Sequence, residues 1–303
     1  MTVPGAPQVE IGKEHCSFAF DPSAHPADSA RSGQIVRFHC RDCYDEQIDH
    51  DGKEFSQLDM KRNNPVTGPL YIEGAEPGDA LKIEIISIEP EEAGVMCVRT
   101  GKGVYQVEGC HCRRFPVKNG VVFFDAGIEV PVQPMIGVIG TCPAIAEDTQ
   151  SPGEHGGNLD MRDLGAGATL YLPVFVPGAL LSVGDLHAVQ GDGETAICAM
   201  EVSGTVTLRV ELIKGGTLFP MPFIVTRDAH CALAAHESLD VCSVEAARRM
   251  HGWLIKAYEL TDAQAAMLLS LCGNLRITQV VNPRKGCAME LPQTILNQLK
   301  ARK

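Results

Sequence analysis

The sequence predicts a mainly β protein with a smaller α/β part near its C-terminus. Polar and apolar side chains alternate in many short segments, most clearly over residues 80–88. The 30 Gly and 19 Pro separate these segments, as in turn-rich β proteins. Helical periodicity appears late in the chain, from Ser243 onwards. Together these patterns favour a β body with helices near its C-terminal end.

The predicted elements can be placed one by one along the chain. We expect strands at residues 17–20, 34–40, 69–72, 80–88, 121–124, 135–140, 169–176, 196–202, 205–212 and 275–281. The expected helices cover residues 243–258 with Ser243 as N-cap, a segment from the capping-box-like Thr261 to Gly273, and residues 292–299. The Gly-rich break at residues 213–217 predicts a mainly β domain over residues 1–213, which carries the candidate site, and an α/β portion over residues 214–303. One integrated domain is the alternative.

Charge and hydropathy exclude several classes of function. The formal charge is 26 − 38 = −12, which gives no electrostatic footprint for nucleic acid. No run of 18 apolar residues is present, so we expect no membrane partner, and residues 1–13 do not have the pattern of a signal peptide. The expected location is therefore the cytoplasm.

Twelve cysteines are scattered along the chain. In a cytoplasmic protein they are expected to be reduced, many of them buried as small apolar residues. An alternative is a zinc site that combines Cys40 and Cys43 with Cys110 and Cys112.

The strongest candidate site lies in residues 182–194, which hold several carboxylates, a histidine and several glycines. Asp185 and His187 are two residues apart, so in an extended chain they face the same side. An imidazole and a carboxylate that converge in this way suit Zn²⁺ or a similar ion. The alternative is a polar loop whose aspartates cap turns.

Two further segments carry candidate ligands. In residues 154–160, Asn158 and Asp160 are also two apart and could both offer oxygen to a cation, or Asp160 could cap a surface turn. Residues 41–47 form an acidic loop after a predicted strand, a common place for a site and equally for a solvated loop. The sequence lacks a G-x-S-x-G, Walker or H-E-x-x-H motif, whereas a spatial Ser/His/Asp triad stays open.

Four stretches of the chain resemble the acetamidase/formamidase family, in its compact acetamidase-like branch. They are residues 68–79, residues 113–120, EHGGNLD at residues 154–160 and GALLSVGDLHAVQGDGE at residues 178–194, with a weaker continuation to residues 280–282. The resemblance implies a β-sandwich or jelly-roll-like fold and hydrolysis of short aliphatic amides. It also implies a divalent ion, zinc or calcium, near five side chains: Asp42, Asp160, Asp185, His187 and Glu194. Cys43 and Cys142 depart from the family pattern, which leaves the substrate open to other small amides or to urea- or lactam-like compounds.

From this resemblance we expect a metal-activated water to cleave a small linear amide to a carboxylate and ammonia. Zinc is preferred over calcium, with Asp42, Asp160, Asp185 and His187 as ligands. Glu194 would be the general base and acid, and Asn158 and Gln190 would bind the substrate. The alternatives are a cysteine-dependent amidase that uses Cys142 or Cys112, and a metal-stabilised β protein that binds a small ligand without turnover. A homo-oligomer is expected, because the exposed edges of β-sheets can be covered by a partner subunit.

Overall fold

The structure is a computed structural model that describes residues 5–302. Its strands are β1 (Val9–Ile11), β2 (Cys16–Ser17), β3 (Ala19–Phe20), β4 (Asp28–Ala30), β5 (Ile35–Cys40), β6 (Val66–Ile72), β7 (Ala80–Pro90), β8 (Ala93–Arg99), β9 (Cys110–Lys118), β10 (Val121–Asp125), β11 (Ile128–Pro131), β12 (Met135–Gly140), β13 (Glu147–Asp148), β14 (Pro152–Gly153), β15 (Gly156–Asn158), β16 (Thr169–Pro173), β17 (Leu181–His187), β18 (Gly204–Ile213), β19 (Phe223–Val225), β20 (Ala229–His236), β21 (Asn274–Gln279) and β22 (Lys285–Pro292). The helices are α1 (Leu239–Tyr258), α2 (Asp262–Cys272) and α3 (Gln293–Lys300), with 3₁₀ turns at Phe55–Gln57 and Met60–Arg62.

The strands form two large sheets and two small ones. The larger has nine strands in the order β1-β5-β18-β7-β16-β19-β20-β22-β21, and the second has the order β14-β15-β12-β17-β6-β2, with β4 also paired to β6. A four-stranded sheet, β11-β10-β9-β8, and the pair β13-β3 complete the set. The mainly β prediction is therefore confirmed, with helices at the C-terminal end, whereas its jelly-roll form stays a prediction.

The division predicted at residue 213 falls inside the nine-stranded sheet. This sheet joins β18, from the first predicted part, to β19–β22, from the second, by way of β7 and β16. Strands of both parts are thus hydrogen-bonded into one layer. The outer ends of the two predicted parts, residues 1–4 and 303, lie outside the described residues.

The two large sheets bury their apolar faces in one core. Alternation along β7 places Leu81, Ile83 and Ile85 inside, and side chains of β12 and β17 such as Ile136 and Val183 belong to the same buried cluster. Burial of this apolar surface is the main favourable contribution to folding. The core thereby fixes β17, which carries the central site residues.

The helices pack a second core against the end of the nine-stranded sheet. The prediction of Ser243 as N-cap is wrong: α1 begins at Leu239, and its N-cap is Ser238, five residues before Ser243. The Ser238 hydroxyl accepts a hydrogen bond from the Val241 amide. The Ser243 hydroxyl instead donates to a carbonyl of its own helix. The helix buries Trp253 in this core and leaves Val244 exposed. The capping box at Thr261 is confirmed.

Residues 196–202, expected as a strand, form an irregular loop in the structure. Ile197 has a φ of 82°, and such a left-handed β-branched residue breaks an extended segment. Glu201 keeps only isolated bridges, to Val95 and His187, among the described residues. The strand prediction was wrong because apolar alternation alone does not reveal this backbone turn.

The cysteines differ from the expectation of reduced thiols at one pair. Cys97 and Cys112, which face each other across β8 and β9, form a disulfide. Cys110 Sγ lies 3.5 Å from Cys97 Sγ, so this sulfur cluster includes Cys97 and not Cys40. Within residues 5–302, none of the helices combines the length and apolar composition needed to cross a membrane.

Candidate active site

A pocket of about 280 Å³ opens where several distant segments meet. Asp185 comes from β17 and Asn158 from β15. Glu194 and Glu201 come from the connection between β17 and β18, and Asn282 comes from the turn before β22. The remaining wall residues are Cys43, Tyr44, Met60, Asn63, Asn64, Arg99, Lys102, Gln150, Ile197, Val281, Pro283 and Lys285. Charged and polar side chains therefore converge on one small volume.

His187 lies buried beneath the pocket, against the wall residues Asp185 and Glu201, and its orientation is fixed by hydrogen bonds. Its Nδ1 lies 2.8 Å from Gln190 Oε1, while Gln190 Nε2 donates to the Asp160 carbonyl at 2.8 Å. Since that Gln190 oxygen can only accept, Nδ1 carries the proton. The Nε2 atom of a neutral His187 is then free to bind a cation, and this is the arrangement in which a partner at one ring nitrogen orients the other.

Acidic side chains surround this free nitrogen. His187 Nε2 lies 3.1 Å from Glu201 Oε2 and 3.4 Å from Asp185 Oδ1. Ligand atoms of Asp160, His187 and Glu194 all lie within 4.8 Å of one another, as do those of Cys43, Asp185 and Glu201. Two separate groups of potential ligands thus lie side by side at and beneath the pocket floor, and His187 lies close to both.

Four buried atoms of this cluster have no hydrogen-bond partner within residues 5–302: Asp185 Oδ1, His187 Nε2, Glu194 Oε2 and Glu201 Oε2. Their side chains are at most 8% exposed, and leaving buried polar atoms unpaired is unfavourable by about 1–3 kcal/mol each. An imidazole nitrogen with carboxylate oxygens is a donor set that suits a divalent cation such as Zn²⁺. The residues present therefore fit the ion that the sequence analysis expects.

The electrostatics of the cluster follow from burial. Burial, and after it the charge of Asp185, raises the pKa of Asp160 to about 7. Burial also raises the pKa of Glu201 to about 7 and that of Glu194 well above its usual range. Burial lowers the pKa of His187, but Glu201 and Asp185 more than offset this, so the net shift is upward. Protons and a bound cation would therefore compete for the same buried carboxylates and imidazole.

The backbone at these acids is strained. Asp160, Asp185 and Glu194 have φ values of 43°, 53° and 44°, a left-handed conformation that non-glycine residues adopt infrequently. The strand neighbour Gly137 leaves the room they need, because a Cβ there would lie 2.6 Å from Asp185 Oδ2 and 2.7 Å from Asp160 Oδ1. Strain of this kind concentrates at functional sites.

Amide side chains hold the carboxylates in place. Asn282 Nδ2 donates to Asp160 Oδ2 at 2.6 Å. With its amide oriented to suit its neighbours, Asn158 Nδ2 lies 3.0 Å from Asp160 Oδ2 and 3.1 Å from Asp185 Oδ2, and its oxygen accepts from Asn282 and Asn64. Asn158 thus connects two of the acids and lines the pocket.

The structure brings most of the predicted site residues together, with Asp42 apart from them. Asn158, Asp160, Asp185, His187, Gln190 and Glu194 meet at the floor or directly beneath it. Asp42 Oδ1 instead accepts hydrogen bonds from the amides of Tyr44 and Glu46 at 2.9 and 3.0 Å. Over the described chain, Asp42 belongs to neither group of potential ligands. Its geometry is that of a carboxylate that caps its own turn.

Glu201 and Asn282 were not among the site residues predicted from the sequence. Glu201 lies in the segment expected as a strand, and Asn282 ends the weakly matching stretch at residues 280–282. An acidic residue inside an otherwise apolar run was the available signal for Glu201.

The two cysteines of the thiol alternative lie away from the pocket. The Cys142 side chain is buried, its Sγ donates to the Pro143 carbonyl, and burial raises its pKa to about 12. Cys112 is in the disulfide. Cys142 is buried with a raised pKa and Cys112 is oxidised, so neither offers the accessible thiolate that a nucleophilic cysteine needs.

Carboxylates, an imidazole and amides that converge at a pocket in a mainly β protein define a hydrolase-type candidate site. The chain belongs to the acetamidase/formamidase family, since the sequence model of the Acetamidase/Formamidase family matches residues 8–147 and 139–298.

Solved structures and a curated relative extend this finding. The chain is similar to the crystal structure of an acetamidase from Bacillus halodurans, with 40% sequence identity and a TM-score of 0.94 over 96% of this chain and 99% of that one. It is also similar to the crystal structure of an acetamidase from Yersinia enterocolitica, with 28% identity and a TM-score of 0.90 over 96% of this chain and 93% of that one. It is 28% identical to the acetamidase of Mycolicibacterium smegmatis over 64% of this chain and 65% of that protein. The chain thus spans less than two thirds of that curated relative.

Proposed function

We propose that this protein is an amidohydrolase that cleaves the C–N bond of a small linear amide. Water adds to the amide carbon, the C–N bond breaks, and a carboxylate and ammonium leave. The observation that carries the proposal is the set of unpartnered buried atoms around His187 Nε2 at the floor of a pocket, noted above for residues 5–302. The acetamidases similar in sequence and structure support it.

A divalent ion, zinc in preference to calcium, would be held by Asp160, Asp185 and His187, with Glu201 as the carboxylate that the structure adds. When bound, such an ion polarises the amide carbonyl and makes water more acidic. Gln190 has both polar ends bonded to His187 and to the Asp160 carbonyl, so it orients His187. Asp42, which was expected among the ligands, is left out of this proposed set because its Oδ1 accepts hydrogen bonds from its own turn.

Glu194 and Asn158 are the residues of the chain that act on the substrate. Glu194 lines the pocket with an unpartnered Oε2 among the described groups, so it can take a proton from the attacking water and deliver it to the leaving nitrogen. Asn158 lines the same wall, and it would hydrogen-bond the substrate amide by exchanging one of its bonds to the neighbouring side chains. The site floor is buried, which limits competing solvent and strengthens these interactions.

The proposal is tested by ammonia release from a panel of linear amides, together with elemental analysis of the purified protein. Glu194→Gln is expected to keep the metal content and lower kcat by at least ~10²-fold, the usual contribution of a general acid or base. Glu14→Gln, at an exposed residue outside the pocket, is the matched control. Full activity of Glu194→Gln would refute that role, and absence of ammonia from every amide with metal-loaded protein would refute the activity.

We also propose a cytoplasmic homo-oligomer. The support is structural: β21 is an end strand of the nine-stranded sheet, and its Leu275 and Ile277 are exposed. An apolar strand edge of this kind is commonly covered by a partner. Sedimentation of the purified protein tests this state, and a monomer at micromolar concentration would refute it.

A further inference from the structure

The rim of the pocket carries positive charge, although the chain as a whole is acidic. Arg99 and Lys102, at and just beyond the end of β8, and Lys285, at the start of β22, line the same volume as Asp185 and Glu194. The chain has a formal charge of −12, so a cluster of cations at the candidate site is not explained by composition. A local group of cations that lacks carboxylate partners attracts a ligand of the opposite charge.

These cations are available to a ligand. Within residues 5–302, none of the three has a carboxylate oxygen within 4.0 Å, whereas Lys82, Arg209 and Lys214 on the outer surface are each paired. The Arg99 guanidinium lies 3.9 Å from the centre of the Phe55 ring, which orients it and leaves its N–H groups free for a ligand. Lys285 Nζ donates to the Asn282 carbonyl at 2.7 Å, which holds it beside the pocket with donors to spare.

Balancing the acids of the floor does not account for these cations. The floor acids Asp185 and Glu201 face His187 at 3.1–3.4 Å, and the rim cations lie beyond ion-pair distance of them. Arg99 and Lys102 belong to the β8–β9 connection, which docks on the loop of Glu194 through the hydrogen bond from the Val104 amide to the Thr195 carbonyl. The positive rim and the acidic floor are thus separate layers of one pocket.

The size of the pocket allows a substrate larger than formamide or acetamide. The open space is about 280 Å³, many times the ~10–15 Å³ that is enough for one water. The pocket therefore has room for an amide that carries a short substituent, and its lining includes both the acids that would act on the amide and the cations of the rim.

Resting on the proposed amidohydrolase function, we propose that the substrate is an amide that also carries a carboxylate, such as the monoamide of a short dicarboxylic acid. The amide group lies over the acidic floor and the carboxylate is bound by Arg99, Lys102 and Lys285. Arginine suits this task because its planar fork can bind a carboxylate through two parallel hydrogen bonds. Hydrolysis adds one water, breaks the C–N bond and yields a dicarboxylate and ammonium.

The test compares amides of the same shape that differ in charge. Malonamate is paired with 3-methylbutanamide, and succinamate with 4-methylpentanamide, using metal-loaded protein and ammonia release. The charged member of each pair is expected to have the higher kcat/KM, by roughly 10- to 100-fold, the usual worth of a charge-assisted hydrogen bond. This preference should shrink as salt screens the rim.

Variants separate the rim from the rest of the site. Arg99→Gln and Lys102→Gln are each expected to lower the charged-to-neutral ratio of kcat/KM by at least about tenfold. Arg209→Gln, which removes a paired cation on the sheet surface, should leave the ratio unchanged. Lys102 is exposed, so its variant tests the rim even if Arg99→Gln folds poorly.

The outcomes distinguish this inference from the function on which it rests. Equal kcat/KM within each pair, with no response to either rim variant, overturns the carboxylate-bearing substrate and leaves the amidohydrolase standing. Faster turnover of the neutral amides has the same meaning. Ammonia from formamide or acetamide but from neither member of any pair also overturns the carboxylate-bearing substrate and leaves the amidohydrolase standing. Ammonia from none of these amides overturns the amidohydrolase itself, and the substrate class with it.

Discussion

The carboxylates of the pocket floor can be compared with those around Arg276 in β21, an end strand of the nine-stranded sheet. Arg276 lies within 2.8–3.0 Å of oxygens of Asp163, Asp192 and Glu290, and only 16% of its side chain is exposed. Burial lowers the pKa of Arg276, but Asp192 and Asp163 more than offset this and raise it. These acids have their counter-ion in the protein.

The floor acids are arranged differently. Asp185 and Glu201 face a histidine, Asp160 and Glu194 crowd beside them, and burial raises the pKa of three of the four. A cluster that supplies its own cation stabilises a fold, whereas one that leaves buried oxygen atoms unpaired is suited to an external cation or to proton transfer. The contrast distinguishes a structural acidic cluster from a functional one.

The strongest way to break the functional cluster is Gly137→Ala. The new Cβ would lie 2.6–2.7 Å from carboxylate oxygens of Asp185 and Asp160, so both side chains must move. Because displacements near 1 Å can lower rates by about 10²-fold, amide turnover should fall by at least that factor. Gly252→Ala on α1 is the matched control, since the Cβ there meets no described atom within 4 Å. Unchanged kcat/KM in Gly137→Ala would show that the packing between these strands does not position the acids.

The structural cluster is tested by Arg276→Met. Removing the cation leaves three acids close together, and the free energy of unfolding should fall by about 2 kcal/mol after allowance for partial exposure. Amide turnover should change little, because Arg276 does not line the pocket. Urea unfolding measures this loss, and Arg209→Met, which breaks an exposed pair with Glu84, should cost less than about 1 kcal/mol. Equal losses in both variants would contradict the comparison.

Two buried histidines sharpen the same contrast. His187 faces acids, whereas His230 packs among Phe219, Phe223 and Trp253, and burial there lowers its pKa to about 4. His230 therefore becomes protonated near pH 6.5 in the unfolded chain, but only near pH 4 in the folded chain.

The stability contributed by neutral His230 is accordingly present above pH 6.5 and lost as the pH falls towards 4. His230→Phe should reduce this loss by on the order of 1 kcal/mol, measured as the difference in unfolding free energy between pH 7 and pH 4.5. His251→Gln, at a partly exposed histidine, serves as control. An identical pH dependence in His230→Phe and the unmodified protein would show that His230 does not stay neutral.

Local patterns predicted the elements that depend on local chemistry. The alternation along residues 80–88 and the capping box at Thr261 correspond to a strand and a helix start in the structure. Motif resemblance named Asp160, Asp185, His187 and Glu194, and the fold brings these four together. Glu201 was missed because its place beside His187 depends on a turn at Ile197 that apolar alternation does not encode. Asp42 was expected nearby, but hydrogen bonds within its own turn hold its carboxylate.

The left-handed backbone of Asp160, Asp185 and Glu194 has a consequence for how the chain can change over time. Glycine or asparagine would adopt these φ values more readily, so exchanging the acids for them should make the protein harder to melt while removing its chemistry. A duplicated protein that no longer needed the activity would gain thermal stability by replacing these residues. The left-handed conformation thus makes these three positions less stable than glycine would be, and a relative with glycine there would be expected to resist heat better and to lack the reaction.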